Sequence, residues 1–330
     1  MTAQSVDGIL VGESAPMRRL REIVATIAPT RLPVLIEGAT GTGKELIAGL
    51  VHRLSGRSGV FVAFNVCALG ESMFEDSLFG HTRGAYTGAI DESMGFLREA
   101  HGGTAFFDEI SGLPIGLQAK LLRAVETGVF RPIGAARDAR SDFRVVAATN
   151  ERLGDLVERG RFRADLRHRI SGVVITVPSL AERVDDIPDL ARHFLYRAVG
   201  GHLPIEPRAL ELLIDTPWPG NVRELKQAID VAAVFAHGVL DVTAIELALS
   251  HRATRLGATQ VSEDRVERRE LVATLQDMSW DVDRAAAHLG IHRATIYRRM
   301  KRHGIEAPRV APSRATPRQG DAISATSLMP

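Results

Sequence analysis

Gly38-Ala39-Thr40-Gly41-Thr42-Gly43-Lys44 narrows the folds open to this 330-residue chain more than any other stretch. It follows the apolar run Val34-Leu35-Ile36 with Glu37 and precedes the helix-like Glu45-Leu46-Ile47-Ala48-Gly49-Leu50. Strand, glycine-rich loop and helix, in that order, form the context in which a G-x-x-x-x-G-K run cradles phosphate. Glycines let backbone N–H groups converge on phosphate oxygens, the helix N-terminus adds its dipole, and Lys44 reaches the terminal phosphates. The generic motif continues with Ser or Thr as a magnesium ligand, whereas this chain has Glu45. A magnesium ion would then rest on another carboxylate and on phosphate oxygens, with Thr42 or water in support.

Further short apolar runs recur at Val60-Phe61-Val62-Ala63-Phe64, Thr104-Ala105-Phe106-Phe107, Val145-Val146-Ala147-Ala148 and Val173-Val174-Ile175-Thr176-Val177, separated by helix-like segments. That alternation predicts an α/β fold, a parallel sheet covered by helices. The near-continuous hydrophobicity predicts strands buried on both faces. Asp108-Glu109 closes the third run, so both carboxylates should emerge at the carboxyl edge of a buried strand, where open α/β sheets place their ligands. Asp108 suits magnesium, and Glu109 suits orienting and deprotonating an attacking water. From Pro178 the pattern becomes helical, with Asp186 to Leu195 and Asn221 to Leu225 reading as helices of a lid.

Composition excludes little but does exclude some addresses. Lys plus Arg (41) nearly cancel Asp plus Glu (40), so any argument for nucleic acid must be local. The single Cys67 rules out an internal disulfide and reads as a buried structural thiol. Neither a secretory leader nor a run near the roughly 20 apolar residues of a membrane helix is present, which points to the cytoplasm and to no membrane partner.

Gly84-Ala85-Tyr86-Thr87-Gly88-Ala89 is small or flexible throughout except for one aromatic. That composition suits a mobile hairpin whose Tyr86 presses into a partner. Near the carboxyl terminus, residues 283–302 combine an alanine-rich helix, a turn at Gly290 and a basic second helix, the pattern of a helix-turn-helix. Ala294, Ile296, Tyr297 and Met300 can supply its packing. Arg293, Thr295, Arg298, Arg299 and Arg302, with Lys301, are candidate contacts to double-stranded DNA.

The P-loop with Gly43-Lys44-Glu45, then Leu78-Phe79-Gly80-His81-x-x-Gly84 through Ala89, then Gly102-Gly103-Thr104-x-x-x-Asp108-Glu109, resembles the AAA+ domain of bacterial sigma-54-dependent transcription activators, the NtrC family. Ala147 to Asn150, Phe162-Arg163-Ala164-Asp165-Leu166-x-x-Arg169, Pro178-x-Leu180-x-Glu182-Arg183 and Trp218 to Leu225 extend the likeness from Ile9 to about Ser250. The resemblance implies an AAA+ α/β subdomain over 8–177, a helical lid over 178–250, a linker over 251–264, a Fis-type helix-turn-helix over 265–306 and a disordered tail over 307–330. It implies ATP and Mg2+ as cofactors, with Gly38 to Glu45 around the nucleotide. Asn65 matches the asparagine that holds the catalytic glutamate, Thr149 and Asn150 match sensor I, and Arg223 matches sensor II. Arg163 and Arg169 match arginines supplied to a neighbouring subunit's ATP, so the protein should act as a ring, a hexamer in this family.

On that basis the chain should be an ATP-hydrolysing activator that sits on an upstream DNA site and remodels sigma-54 RNA polymerase through Gly84 to Ala89. The alternative is a regulator of the same fold that acts by promoter occupancy. A AAA+ unfoldase leaves the helix-turn-helix unexplained. Three departures stand out. Tyr86 replaces the family's usual Phe, Val66 stands where Cys is common, and Asp281 stands where Asn is common. The likeness begins within the first dozen residues, leaving no room for a receiver or sensing domain, so control should come from a regulatory protein in trans or from expression level.

Overall fold

Five of the apolar runs join into one parallel sheet in the computed structural model, which describes residues 10–68, 71–251, 271–278 and 280–289, with positions 293, 296, 300 and 305. The chain divides into two compact units, Met1–Arg252 and Ala253–Pro330. In the first, the strands are β1 (Val34–Glu37), β2 (Phe61–Asn65), β3 (Thr104–Asp108), β4 (Val129–Phe130), β5 (Ala139–Arg140), β6 (Arg144–Thr149) and β7 (Val173–Thr176). The main sheet runs β2-β3-β6-β1-β7, while β4 and β5 form a separate antiparallel pair. The helices are α1 (Ala15–Ile27), α2 (Lys44–Arg53), α3 (Glu71–Phe79), α4 (Phe96–Glu99), α5 (Ile115–Thr127), α6 (Leu153–Glu158), α7 (Ala164–Ile170), α8 (Ile187–Val199), α9 (Pro207–Asp215) and α10 (Asn221–Phe235). A further helix follows over 242–251.

Register makes the carboxyl edge of this sheet a single row. Asn65 pairs with Asp108, Phe107 with Ala147, and Glu37 with both Thr149 and Thr176. The chain therefore leaves β2, β3, β6 and β1 side by side, and the phosphate loop and the acidic pair flank the end of β6. Burial follows position in the sheet: β6 is buried along its whole length and β3 is buried up to Asp108, whereas the edge strands β2 and β7 keep exposed positions. Two-sided burial thus holds at the centre and fails at the edges, because no strand covers their outer sides.

Two apolar layers sandwich the sheet. Leu35, Phe107, Val145, Leu121 and Leu166 pack on one face, and Val34, Ile36, Phe106, Val146, Ile47 and Leu50 on the other. Alternate residues of the same strands serve opposite layers, as the two-residue period of a strand requires. Arg144, at the start of β6, is buried with its guanidinium donating to the carbonyls of Ala28 (2.5 Å), Ile27 (3.0 Å) and Leu32 (3.1 Å). It gathers carbonyls at and just beyond the end of α1 and ties that helix to the sheet. Burial, with the nearby Arg57, pulls its pKa below the usual arginine range.

The lid packs around Leu190, Leu195, Leu213, Trp218, Leu225 and Ile229. Its first turn carries a full capping box, with Glu182 accepting from the Ser179 backbone (2.7 Å) and hydroxyl (2.8 Å). Helix continues through His251, the first residue of the expected linker; residues 252–264 and 307–330 lie outside the described residues.

Candidate active site

The loop after β1 turns through Gly41 (φ 80°) and Gly43 (φ 101°), conformations in the region that favours glycine. A Cβ on Gly41 would also lie 2.2 Å from the Gly220 carbonyl oxygen, so the loop and the lid approach too closely for any side chain there. Lys44 then opens α2, nearly buried, and its Nζ donates to the carbonyls of Gly38 (2.9 Å) and Ala39 (3.5 Å). It also pairs with Glu109 Oε1 at 3.5 Å. Thr42 is buried and donates to the Ala39 carbonyl at 2.8 Å, which holds its hydroxyl within its own loop. Glu45 is exposed on the first turn of α2.

Asp108 ends β3, and Glu109 follows with φ 54°, a left-handed conformation that a glutamate rarely adopts. This turn points the Glu109 carboxylate toward the loop, where Oε2 accepts the Asn150 backbone N–H at 3.3 Å. Asn150 Nδ2 in turn donates to Thr40 Oγ1 at 3.2 Å. Of the expected sensor pair, Asn150 therefore bridges the acid and the phosphate loop. Thr149 does not: its fully buried hydroxyl exchanges hydrogen bonds with the Glu151 backbone at 3.0 Å. Its backbone carbonyl still accepts from Gly38 at 3.3 Å.

Asn65 also differs from expectation. Its Nδ2 donates to Asp108 Oδ2 at 3.5 Å, and its Oδ1 accepts the Cys67 N–H at 2.9 Å, so it reaches Asp108 and not Glu109. The register that sets Asn65 opposite Asp108 explains this, since Glu109 has turned toward Lys44. Cys67 is exposed, contrary to the buried thiol expected. The 3-10 turn after β2 puts Val66 in the core instead. Partial burial and the Glu109, Asp108 and Glu151 carboxylates push the Cys67 thiol up, which disfavours the thiolate.

Several lid contacts escaped the sequence reading. Buried Asn221 (φ 53°) accepts from Leu180 N–H at 2.8 Å and donates to the Thr40 carbonyl at 3.0 Å. Buried Arg183 donates to the Thr42 carbonyl at 3.3 Å, and its burial lowers its pKa against the opposing pull of Asp186. Arg223 contributes its backbone N–H to the Gly41 carbonyl at 3.1 Å, while its side chain is exposed. Beside these contacts lies a cavity of about 390 Å³ lined by Val11, Gly43, Ile47, Val222 and Lys226 among others. Its mostly apolar wall next to a phosphate loop fits a flat heterocyclic base. No local motif marks it, because its walls come from the stretch leading into α1, from α1 itself, and from α2, α8 and α10.

Arg163 and Arg169 are exposed at α7. Arg163 forms a two-pronged pair with Asp165 (3.1 and 2.7 Å), which raises the pKa of the arginine and lowers that of the aspartate. Arg169 donates to the Glu126 carbonyl at 3.5 Å. Their contacts lie with their own surroundings and not with Lys44 or Glu109.

The stretch from Gly84 to Ala89 folds into a tight turn, with Gly84 N–H donating to the Ala89 carbonyl at 2.8 Å and Ala89 N–H to Tyr86 at 3.0 Å. At its base His81 bridges to Ser93 and to Ile133, the latter just beyond β4. Tyr86 is half exposed, with its ring 5.1 Å from His81 and its hydroxyl 3.2 Å from Asp76 Oδ2.

Comparison with known proteins adds the decisive observation. Residues 10–176 match the sigma-54 interaction domain, 181–264 the AAA+ ATPase lid domain, and 264–303 the Fis family of bacterial regulatory proteins. The chain belongs to the sigma-54-dependent transcriptional regulators. It is 42% identical over 325 residues to the C4-dicarboxylate transport transcriptional regulatory protein DctD of Rhizobium meliloti, covering 96% of this chain and 69% of DctD. With the transcriptional regulatory protein ZraR of Escherichia coli K12 it shares 40% over 304 residues, 89% of this chain and 68% of ZraR. Among solved structures, NtrX of Brucella abortus in complex with ATP aligns with TM-score 0.67 and 30% identity over 90% of this chain and 70% of NtrX. The module is an AAA+ ATPase, and its fold brings the P-loop, the acidic pair and Asn150 together.

The second unit has its own core of Leu271, Leu275, Ala285, Ala286, Ile296 and Met300. Asp281 caps the helix Val282–Leu289, accepting from the N–H groups of Asp283 (3.0 Å) and Arg284 (3.1 Å), so Asp serves here where Asn is usual. Arg293 is exposed and pairs with Asp283 at 3.3 Å. The other candidate DNA contacts, Thr295, Arg298, Arg299 and Arg302, lie outside the described residues, as do Ala294 and Tyr297.

Proposed function

We propose that this regulator hydrolyses ATP at the seam between adjoining subunits of a six-membered ring, and that the turnover drives the Tyr86 loop against sigma-54 RNA polymerase from an upstream DNA site. One observation carries the reading. A chain alone supplies the phosphate loop, Lys44, Asp108 and Glu109, yet its two candidate arginines are engaged at α7 with Asp165 and Glu126. A guanidinium is needed where negative charge builds on the transferring phosphoryl group, and a neighbouring subunit is the natural source. Head-to-tail contacts of that kind close into rings.

Magnesium fits this site in a particular way. Among the described residues no three His, Cys, Asp or Glu side chains gather into a metal cage. Mg2+ is commonly held by one or two carboxylates with water and substrate phosphate, so Asp108 at the sheet edge suffices as the protein ligand. Bound there, it would neutralise charge on the phosphates. Glu109 orients and deprotonates the attacking water, Asn150 links its position to the loop at Thr40, and Asn221, Arg183 and the Arg223 backbone carry the loop's state to the lid.

Among the described residues no helix is long and apolar enough to cross a membrane. We place this regulator's work on DNA in the cytoplasm. Arg293, Thr295, Arg298, Arg299 and Arg302 contact the DNA in this reading, and a regulatory protein acts on the assembly in trans. The test is capture of purified sigma-54 by the protein holding a transition-state mimic of ATP. Capture by wild type, with Tyr86→Ala hydrolysing ATP at close to the wild-type rate but failing to capture sigma-54 or activate transcription, supports the reading; Tyr86→Phe should do both. Hydrolysis by wild type without capture would favour a regulator acting by promoter occupancy.

A further inference from the structure

One carboxylate binds both ends of the sigma-contact loop. Asp76, on α3, receives His81 Nδ1 on Oδ1 at 2.5 Å and the Tyr86 hydroxyl on Oδ2 at 3.2 Å. His81 is the residue that anchors the loop base, through its backbone bonds with Ser93 and through Nε2, which lies 2.9 Å from the Asp91 carbonyl oxygen. The Tyr86 ring leans on the same imidazole at 5.1 Å. Tip and base of the loop are thereby folded down on α3 around a single side chain.

The hydroxyl is what makes this arrangement particular to the chain. A Phe at position 86 could lean on His81 but could not donate to Asp76. We infer that Asp76 and the Tyr86 hydroxyl form a catch that parks the loop against α3 and must open before Tyr86 can reach a partner. The inference rests on the proposed role of the loop, and the hydroxyl then has a use in the parked state that a buried contact with sigma-54 does not require. Tyr86 remains half exposed in this state, so the bond competes with water and the catch is weak enough to open during turnover.

Exposed Arg83 lies inside the loop and gives a readout that needs no sigma-54. Trypsin cleavage after Arg83 in the full-length protein, followed by mass spectrometry of the fragment ending there, reports how often the loop lifts. Tyr86→Phe removes one hydrogen bond and no packing, and cleavage should accelerate roughly three- to tenfold at an unchanged urea midpoint. Asp76→Ala frees His81 as well and should accelerate it at least as much. Cleavage of Tyr86→Phe at the wild-type rate would overturn the catch, and so would acceleration matched by a fall in the urea midpoint, which would mean general loosening. Because the assay contains no sigma-54, either result leaves the capture experiment to judge the loop's role separately.

Discussion

Glu109 sits at φ 54°, a conformation that costs a non-glycine residue about 1–3 kcal/mol, and in return its carboxylate meets both Lys44 and the Asn150 N–H. Strain held at the proposed catalytic base is expected where orientation matters more than stability. Glu109→Gln keeps the shape and removes the base, so ATP turnover should fall by about 10²–10⁴ while nucleotide binding persists, as read by steady-state hydrolysis beside equilibrium titration. His52 is a residue-scale test of stability. It shares a 2.9 Å hydrogen bond with Thr104, and burial, then Arg57 and Arg144, lower its pKa from 6.5. His193 is lowered too, by burial and Arg197. The unfolded chain therefore binds more protons than the native one just below pH 6.5, and stability falls as pH falls through that window. Each histidine adds at most about 1.4 kcal/mol per pH unit, and His52→Gln should flatten the decline of urea midpoint with acid.

Between elements, the lid holds the phosphate loop by its backbone carbonyls, through the Asn221 and Arg183 side chains and the Arg223 N–H. Gly41→Ala would force a Cβ to within 2.2 Å of the Gly220 carbonyl oxygen at φ 80° and break the Arg223 N–H bond to the Gly41 carbonyl. ATP affinity should fall about tenfold or more while the isolated sheet core stays folded, which nucleotide titration and circular dichroism would show together. These contacts also mark the limit of what sequence discloses. The five sheet strands and the phosphate loop were legible because apolar runs and glycine spacing are local signals. The β4–β5 pair was not, since two-residue strands carry no period. Asn221, Arg183 and Arg144 were equally hidden as ties, because each bonds residues far away along the chain. Cys67 was misread for a related reason: a turn after β2 decides which of two neighbouring residues faces the core.

For the whole molecule, the division of labour follows from where the charges end up. Net charge is only +1, yet Arg163, Arg167 and Arg169 gather at α7 while Asp108 and Glu109 stand at the sheet edge. The proposed site, shared by two subunits, would make hydrolysis depend on assembly, and the specific ATPase activity measured across a wide range of protein concentration tests this most directly. Activity per chain should rise steeply with concentration and level off as the ring forms, and Arg169→Ala chains mixed into wild type should depress it. Full activity per chain at dilutions where the protein is monomeric would contradict the account.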